Sequence, residues 1–309
     1  MYYRRAYWQG SDKVDWSKPI LLVSNHQNAF LDALNVLMDI PEQIYFMTRS
    51  DVFYTRIARF FLKMYHMIPI FRKRDGVNIQ ETNERIFNLT YNMLASGRSI
   101  LIFPEGNCIP RNTLRQFQKG TARMAFGAME AHNFNLDLQI VPVGISYSDH
   151  TAFRGEVYVN YGAPMPVSDY LPAYRENPAK GILNITRDMQ QHVQNLLVDV
   201  PDTEQRSLVN FALSVAARKQ RWQHWGSAKL KEAYEIKKRI GDRLAELFES
   251  EAPAYQKVLE KAKAYGKSIE DLGLDDDTVF RVSTARPAAR LMGRVLLLAA
   301  MAPLAIPGW

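Results

Sequence analysis

The chain predicts an α/β domain with a largely parallel sheet flanked by helices, followed by a helical C-terminal region. Three observations carry this. Short apolar runs alternate with helical patterns over about the first 160 residues. Strand signals stop after Gly162-Ala163-Pro164-Met165-Pro166. Two polar clusters, Ser24-Asn25-His26 and Phe103-Pro104-Glu105-Gly106, fall where predicted strands end. Ligands bind beyond the carboxyl ends of strands in sheets of this kind, so two such ends bearing unlike polar groups point to a shared site.

The elements follow in order. Residues 19–24 (Pro-Ile-Leu-Leu-Val-Ser) read as a short buried strand, and Asn25-His26-Gln27-Asn28 as a turn rich in cap formers. Ala29 to Asp39 reads as a helix, and Glu42 to Thr48 as a strand. Val52 to Tyr65 reads as a helix with Arg56, Arg59 and Lys63 among aromatics. Met67 to Phe71 is a strand, Asn78 to Ala95 an amphipathic helix, and Ser99 to Phe103 a strand that runs into the acidic turn. A helix over Phe117 to Ala131 and strands over Leu138 to Tyr147 and Gly155 to Tyr161 complete the alternation. Val141-Pro142-Val143 places a proline inside an apolar run, which is an edge-strand signal. Residues 173–198 and 204–265 are helical, and 266–284 hold an acidic patch and a turn. The expected domains are 1–200 (α/β), 201–286 (helical and basic) and 287–309, an apolar segment that reads as a membrane anchor cut short.

Composition narrows the class. A hydrophobic fraction of 47% and a charged fraction of 23% exclude a disordered or collagen-like chain. One cysteine, Cys108, excludes an internal disulfide framework and a multi-cysteine zinc site, and fits a reducing, cytosol-facing location. The net charge of +7 fits anionic partners: nucleic acid, a membrane surface or acidic small molecules. A mean hydropathy of −0.26 argues against a polytopic membrane protein. The start, Met1-Tyr2-Tyr3-Arg4-Arg5-Ala6-Tyr7-Trp8, has the aromatic and basic mixture of a membrane-interface segment, without the apolar core of a signal peptide.

His26 with Asp32 offers a base and a carboxylate to orient it, set against the plain alternative of a helix-capping histidine. Six positions apart, the two do not share a helical face. They meet only if His26 lies in the turn and Asp32 on the first turns of the helix. Arg72, delivered by the strand Met67-Ile68-Pro69-Ile70-Phe71, suits bidentate phosphate recognition, or is one of a solvated basic trio with Lys73 and Arg74. Glu105 sits in an acidic turn.

In order, Asn25-His26…Asp32, the apolar strand ending in Arg72, Phe103-Pro104-Glu105-Gly106 and Val141-Pro142-Val143 resemble the four blocks of the glycerophospholipid acyltransferases over roughly residues 15–170. Phe117-Gln118-Lys119-Gly120-Thr121 is similar to that family's Phe-x-Lys-Gly stretch. Three departures stand out. Five residues separate His26 from Asp32 where four are usual, which is similar to one branch of the family. The second block lacks its leading glycine. Cys108 stands where many relatives have Ser or Thr.

The resemblance implies that a fatty acyl group moves from a thioester (acyl-CoA or acyl carrier protein) to a hydroxyl of lysophosphatidate, with glycerol-3-phosphate as the alternative acceptor. It implies His26 as base, Asp32 as its orienter, Arg72 on the phosphate, Glu105 and Gly106 on the acceptor, and Lys119 as a further binding residue. It implies no cofactor and no metal. The expected setting is the cytoplasmic face of a membrane, peripheral or held by the C-terminal segment, with membrane phospholipids as partners and no nucleic acid. Two other readings compete. A metallohydrolase built from His26, Asp32, Glu105 and His132 lacks any local two-ligand spacing. A non-enzymatic basic membrane- or nucleic-acid-binding protein would rest on 218–243, with Trp222 and Trp225, but shows no nucleic-acid motif.

Overall fold

The structure is a computed structural model. It describes residues 5–49, 64–70, 79–109, 114–147, 156–197 and 253–273, with isolated positions between 3 and 62 and between 234 and 246. Arg72 and the segment 287–309 lie outside the described residues, as do 201–233. The chain divides into two compact units: Met1–Pro201 with Ser227–Tyr234, and Asp202–Gly226 with Glu235–Trp309.

In the first unit the described strands are β1 (Arg5–Gln9), β2 (Ile20–Ser24), β3 (Ile44–Arg49), β4 (Met67–Ile70), β5 (Ser99–Ile102), β6 (Gln139–Tyr147), β7 (Glu156–Tyr161) and β8 (Met165–Pro166). The helices are α1 (Ala29–Leu37), α2 (Ile79–Ala95), α3 (Gly120–Ala131), α4 (Leu171–Glu176) and α5 (Pro178–Leu196). The strands form one sheet in the order β1-β7-β6-β2-β5-β3-β4, with β8 pairing to β6. The run β6-β2-β5-β3-β4 is parallel throughout, whereas β7 and β8 pair antiparallel to β6. A largely parallel sheet with flanking helices is what the alternation predicts.

Continuous apolar strands are needed because both faces are covered. Within β2, Leu21 and Val23 join one core with α2, α3 and α5, while Ile20 and Leu22 join the other with Ala33 and Val36 of α1. In β6 the same two-residue period sends Ile140 to the first core, and Val141, Val143, Ile145 and Tyr147 to the α1 side. Each fully buried Leu or Ile contributes roughly 1.5–3 kcal/mol to this sandwich.

Two expectations are corrected. The aromatic-basic N-terminus is not a free interface segment over its described part. It forms β1, parallel to β7, with the Tyr7 ring stacked on Tyr158 at 4.9 Å and the Trp8 indole N–H donating to Asn35 O at 2.7 Å. Pro142 is not on an edge strand, since β6 is paired on both sides. Its carbonyl accepts from Gly162 N at 2.8 Å, just past the end of β7. The amide N–H that proline lacks belongs to that same side, where the chain passes from β7 to β8, so the β2 ladder loses nothing.

In the second unit, α6 (Pro253–Asp271) is the long described helix, with Leu259 and Ala262 buried three residues apart.

Candidate active site

The site is assembled where β2 and β5 end. Beyond Ser24, Asn25 is fully buried, and its side-chain amide continues the sheet pairing. Nδ2 donates to Ile145 O at 2.9 Å, and Oδ1 accepts from Ile145 N at 2.8 Å. This bond pair pins the chain just before His26.

His26 Nδ1 lies 2.8 Å from Asp32 Oδ2. The structure meets the geometric condition set by the spacing: His26 precedes α1, and Asp32 is in its first turn. Between them Ala29 takes the left-handed φ of +45° where the turn enters the helix. Asp32 is fully buried. Oδ2 also accepts the backbone N–H groups of Gln27 at 2.8 Å and Asn28 at 2.7 Å, and Oδ1 accepts the Tyr147 hydroxyl at 2.6 Å. Asp32 thus reaches back to satisfy amides ahead of the helix, a task that no side-chain cap from Asn28 performs. A carboxylate only accepts, so Nδ1 carries the proton and Nε2 keeps the lone pair. The imidazole side chain is 19% exposed and lies on the Phe103 ring, with centroids 4.1 Å apart and planes 14° apart.

β5 supplies the second half. Gly106 returns its N–H to Phe103 O at 3.1 Å and adopts φ +73°, which suits glycine in this tight turn. The turn presents Glu105, whose side chain is 1% exposed. Its Oε1 accepts the His26 backbone N–H at 3.1 Å, and its Oε2 meets Arg115 Nη2 at 2.5 Å. Burial pushes the Glu105 carboxyl above its ordinary value of 4.5, against the opposing pull of Arg115 and the His26 amide. Arg115 also donates to Asn107 O. Gln118 N donates to Pro104 O at 2.9 Å, so the stretch leading into α3 is tied to the acidic turn, with exposed Lys119 one residue further on. Cys108 Sγ accepts the Ala29 N–H at 3.0 Å, and burial raises its thiol pKa above the usual 9.0.

The structure therefore brings together His26, Asp32, Glu105 and Gly106, with Lys119 at the near end of α3. Ligand atoms of His26, Asp32 and Cys108 lie within 4.8 Å of one another. A cation there would have to displace the three N–H groups already on Asp32 Oδ2. The four-residue metal constellation is not assembled: Glu105 faces the His26 backbone, and His132 closes α3 before the N-terminal end of β6, opposite to the site. Sequence reasoning missed Tyr147 and Arg115. Tyr147 is visible only as the last residue of an apolar alternation, and Arg115 as one basic residue in a polar loop.

A buried carboxylate paired with a partly exposed histidine, at the strand ends of a parallel sheet, is an arrangement that can do general-base chemistry. Residues 5–146 match the family model described as Acyltransferase, and this part of the chain is similar to the glycerophospholipid acyltransferases. It is 23% identical over 232 residues to glycerol-3-phosphate O-acyltransferase 2 of Saccharomyces cerevisiae, covering 73% of this chain and 30% of that protein. It is 33% identical over 93 residues to glycerol-3-phosphate O-acyltransferase 1 of the same yeast, covering 30% of this chain and 12% of the relative. The matched part thus spans less than a third of either relative's length. Among solved structures, the 1-acyl-sn-glycerophosphate (LPA) acyltransferase PlsC of Thermotoga maritima aligns with a TM-score of 0.43 and 14% identity, over 62% of this chain and 72% of that one.

Proposed function

We propose that this protein is an O-acyltransferase that moves a fatty acyl group from a thioester donor, acyl-CoA or acyl carrier protein, to a hydroxyl of a glycerol-phosphate acceptor. The carrying observation is the His26–Asp32 pair at 2.8 Å, held at the strand ends by Asn25 and Glu105. An alcohol is a poor nucleophile near neutral pH. His26 Nε2 takes the hydroxyl proton as the oxygen attacks the thioester carbonyl. The tetrahedral intermediate collapses, the C–S bond breaks, and the leaving sulfur takes the proton from Nε2 to depart as the thiol, which restores the base. Asp32 keeps Nδ1 protonated and offsets the imidazolium charge. Glu105 acts through the His26 backbone, Arg72 and Lys119 take the acceptor phosphate, and the Gly106 turn shapes the acceptor side.

Between the two acceptors, the likeness to two yeast glycerol-3-phosphate O-acyltransferases supports glycerol-3-phosphate over lysophosphatidate. The setting we propose is a membrane surface on the cytoplasmic side. In support, the chain carries a net charge of +7, and α1 with its C-cap exposes Phe30, Leu34 and Met38 at a four-residue spacing, with no charged residue in the helix other than the buried Asp32. Among the described residues no helix is long and apolar enough to cross a membrane.

The test is acyl transfer by the full chain with glycerol-3-phosphate and lysophosphatidate in parallel, each with both donor types. Transfer to glycerol-3-phosphate is expected, and Arg72→Ala should raise the acceptor KM while the donor KM holds. Transfer only to lysophosphatidate reverses the acceptor assignment. No transfer to either acceptor removes the reading.

A further inference from the structure

Asp32 has a second oxygen that the His26 contact leaves unused. Oδ1 accepts the Tyr147 hydroxyl at 2.6 Å, across 115 positions of sequence. The strand period that places Val143 and Ile145 under α1 also places Tyr147 there, at the last position of β6. Tyr147 is 4% exposed. Its oxygen in turn accepts from Asn35 Nδ2 at 3.1 Å, and Asn35 lies one helical turn below Asp32 on α1. The amide that faces the phenol is a donor, so the phenol proton is committed to Asp32. Burial first, and the Asp32 charge second, push the Tyr147 phenol far above its usual pKa, which keeps that proton in place. Asn35 is itself held, because its carbonyl takes the Trp8 indole N–H at 2.7 Å.

We propose that Tyr147 is a positioning residue for the His26–Asp32 pair, fixing the carboxylate plane through Oδ1, with Asn35 setting the direction of that bond. This rests on the acyl-transfer reading for its kinetic consequence only. The physical case is that Asp32 is fully buried and water does not reach it. Without the phenol, Oδ1 has no donor in a place where an unmet charge is costly. The carboxylate then turns about its Cβ–Cγ bond to share Oδ2's three N–H groups between both oxygens, and the Nδ1 contact lengthens. Tyr147 touches no reacting atom, so its loss acts on the proton-transfer step and leaves acceptor binding alone.

The experiment compares the wild-type full chain with Tyr147→Phe, which keeps the ring and removes the hydroxyl. We expect kcat to fall about 10- to 100-fold, the scale of one hydrogen bond to a charged group, with the acceptor KM within about twofold. In 15N-histidine-labelled protein, the downfield 1H resonance of His26 Nδ1–H should move. Asn35→Leu keeps the phenol and removes the amide donor that it shares with the Tyr3 hydroxyl. It should move the same resonance and lower kcat by a smaller factor, which keeps the proposal testable if Tyr147→Phe does not fold. Wild-type kcat with an unmoved resonance overturns it, as does a loss seen in the acceptor KM with kcat intact. If the wild-type chain acylates neither acceptor, the acyl-transfer reading fails on its own. The resonance then decides the positioning role: a shift supports it and an unmoved signal overturns it.

Discussion

Two buried carboxylates stand at neighbouring strand ends, and they are solvated by the protein in different ways. Asp32 is met by two backbone amides, a phenol and an imidazole, spread over both oxygens. Glu105 is met by one backbone amide and one full charge, Arg115. Neutral donors on both sides fix a carboxylate's orientation, as the base's partner requires. A single arginine from a loop offsets charge instead and ties that loop to the β5 turn. The first arrangement serves direction and the second serves closure of the site.

Neutralising each carboxylate separates the two roles and has the largest effect. His26→Ala should lower transfer by about 10²–10⁴-fold, and Asp32→Asn should follow it closely, because an amide at position 32 presents a donor or a weaker acceptor to Nδ1. Glu105→Gln keeps an oxygen for the His26 N–H, so its loss in kcat should be about tenfold or less. Steady-state kinetics on folded variants checks the order. Equal losses for Asp32→Asn and Glu105→Gln would mean that both carboxylates act on the imidazole directly.

Breaking the Glu105 pair from the other side tests closure through stability. Arg115→Ala strands a buried carboxylate, at a cost of about 3 kcal/mol. The sign with pH follows from the raised Glu105 pKa. A carboxyl that holds its proton more tightly when folded binds more protons in the native state between its unfolded and folded values. Stability therefore falls as pH rises through that window, which begins near 4.5. Urea unfolding should show a larger deficit for Arg115→Ala at pH 8 than at pH 5. Adding Glu105→Gln should remove most of the difference. A deficit that does not change with pH would mean that Arg115 matters for packing alone.

The same contrast explains what was legible in the sequence. β2, β5 and β6 are continuous apolar runs because both faces of each are covered, and such runs are readable without a structure. His26 and Asp32 are close in sequence, so their meeting follows from one turn and the start of one helix. β1 escaped because Arg5-Ala6-Tyr7-Trp8-Gln9, a strand paired on one side, has the amphipathic character that an interface segment also has. Pro142 misled because the rule about proline concerns which side its missing N–H faces, and only the β7-to-β8 crossing settles that. Tyr147 and Asn25 reach across more than a hundred positions to the partners they hold, through strand order that composition does not encode. Cys108 shows the converse. It lies next to the imidazole in space through strand order, yet burial pushes its thiol pKa up, away from the reactive thiolate.

The smallest effect concerns the turn between His26 and Asp32, which distinguishes the Asp32 half of the site most sharply. Ala29 holds φ +45° at the head of α1, a region that a Cβ disfavours by about 1 kcal/mol or more. The strain persists because three contacts hold the turn around it: its own N–H on Cys108 Sγ at 3.0 Å, the Asn28 N–H on Asp32 at 2.7 Å, and the Leu31 N–H on Asn28 O at 3.0 Å. Ala29→Gly removes the clash while leaving these bonds available, and it loosens the unfolded chain by a partly offsetting amount. We expect a gain of about 0.5 kcal/mol in unfolding free energy with kcat unchanged, because the His26–Asp32 distance is set by Asp32's donors and not by the strain. A Gly variant with lower kcat and higher stability would show the opposite: that the left-handed alanine is what stiffens the turn and keeps the imidazole on its carboxylate.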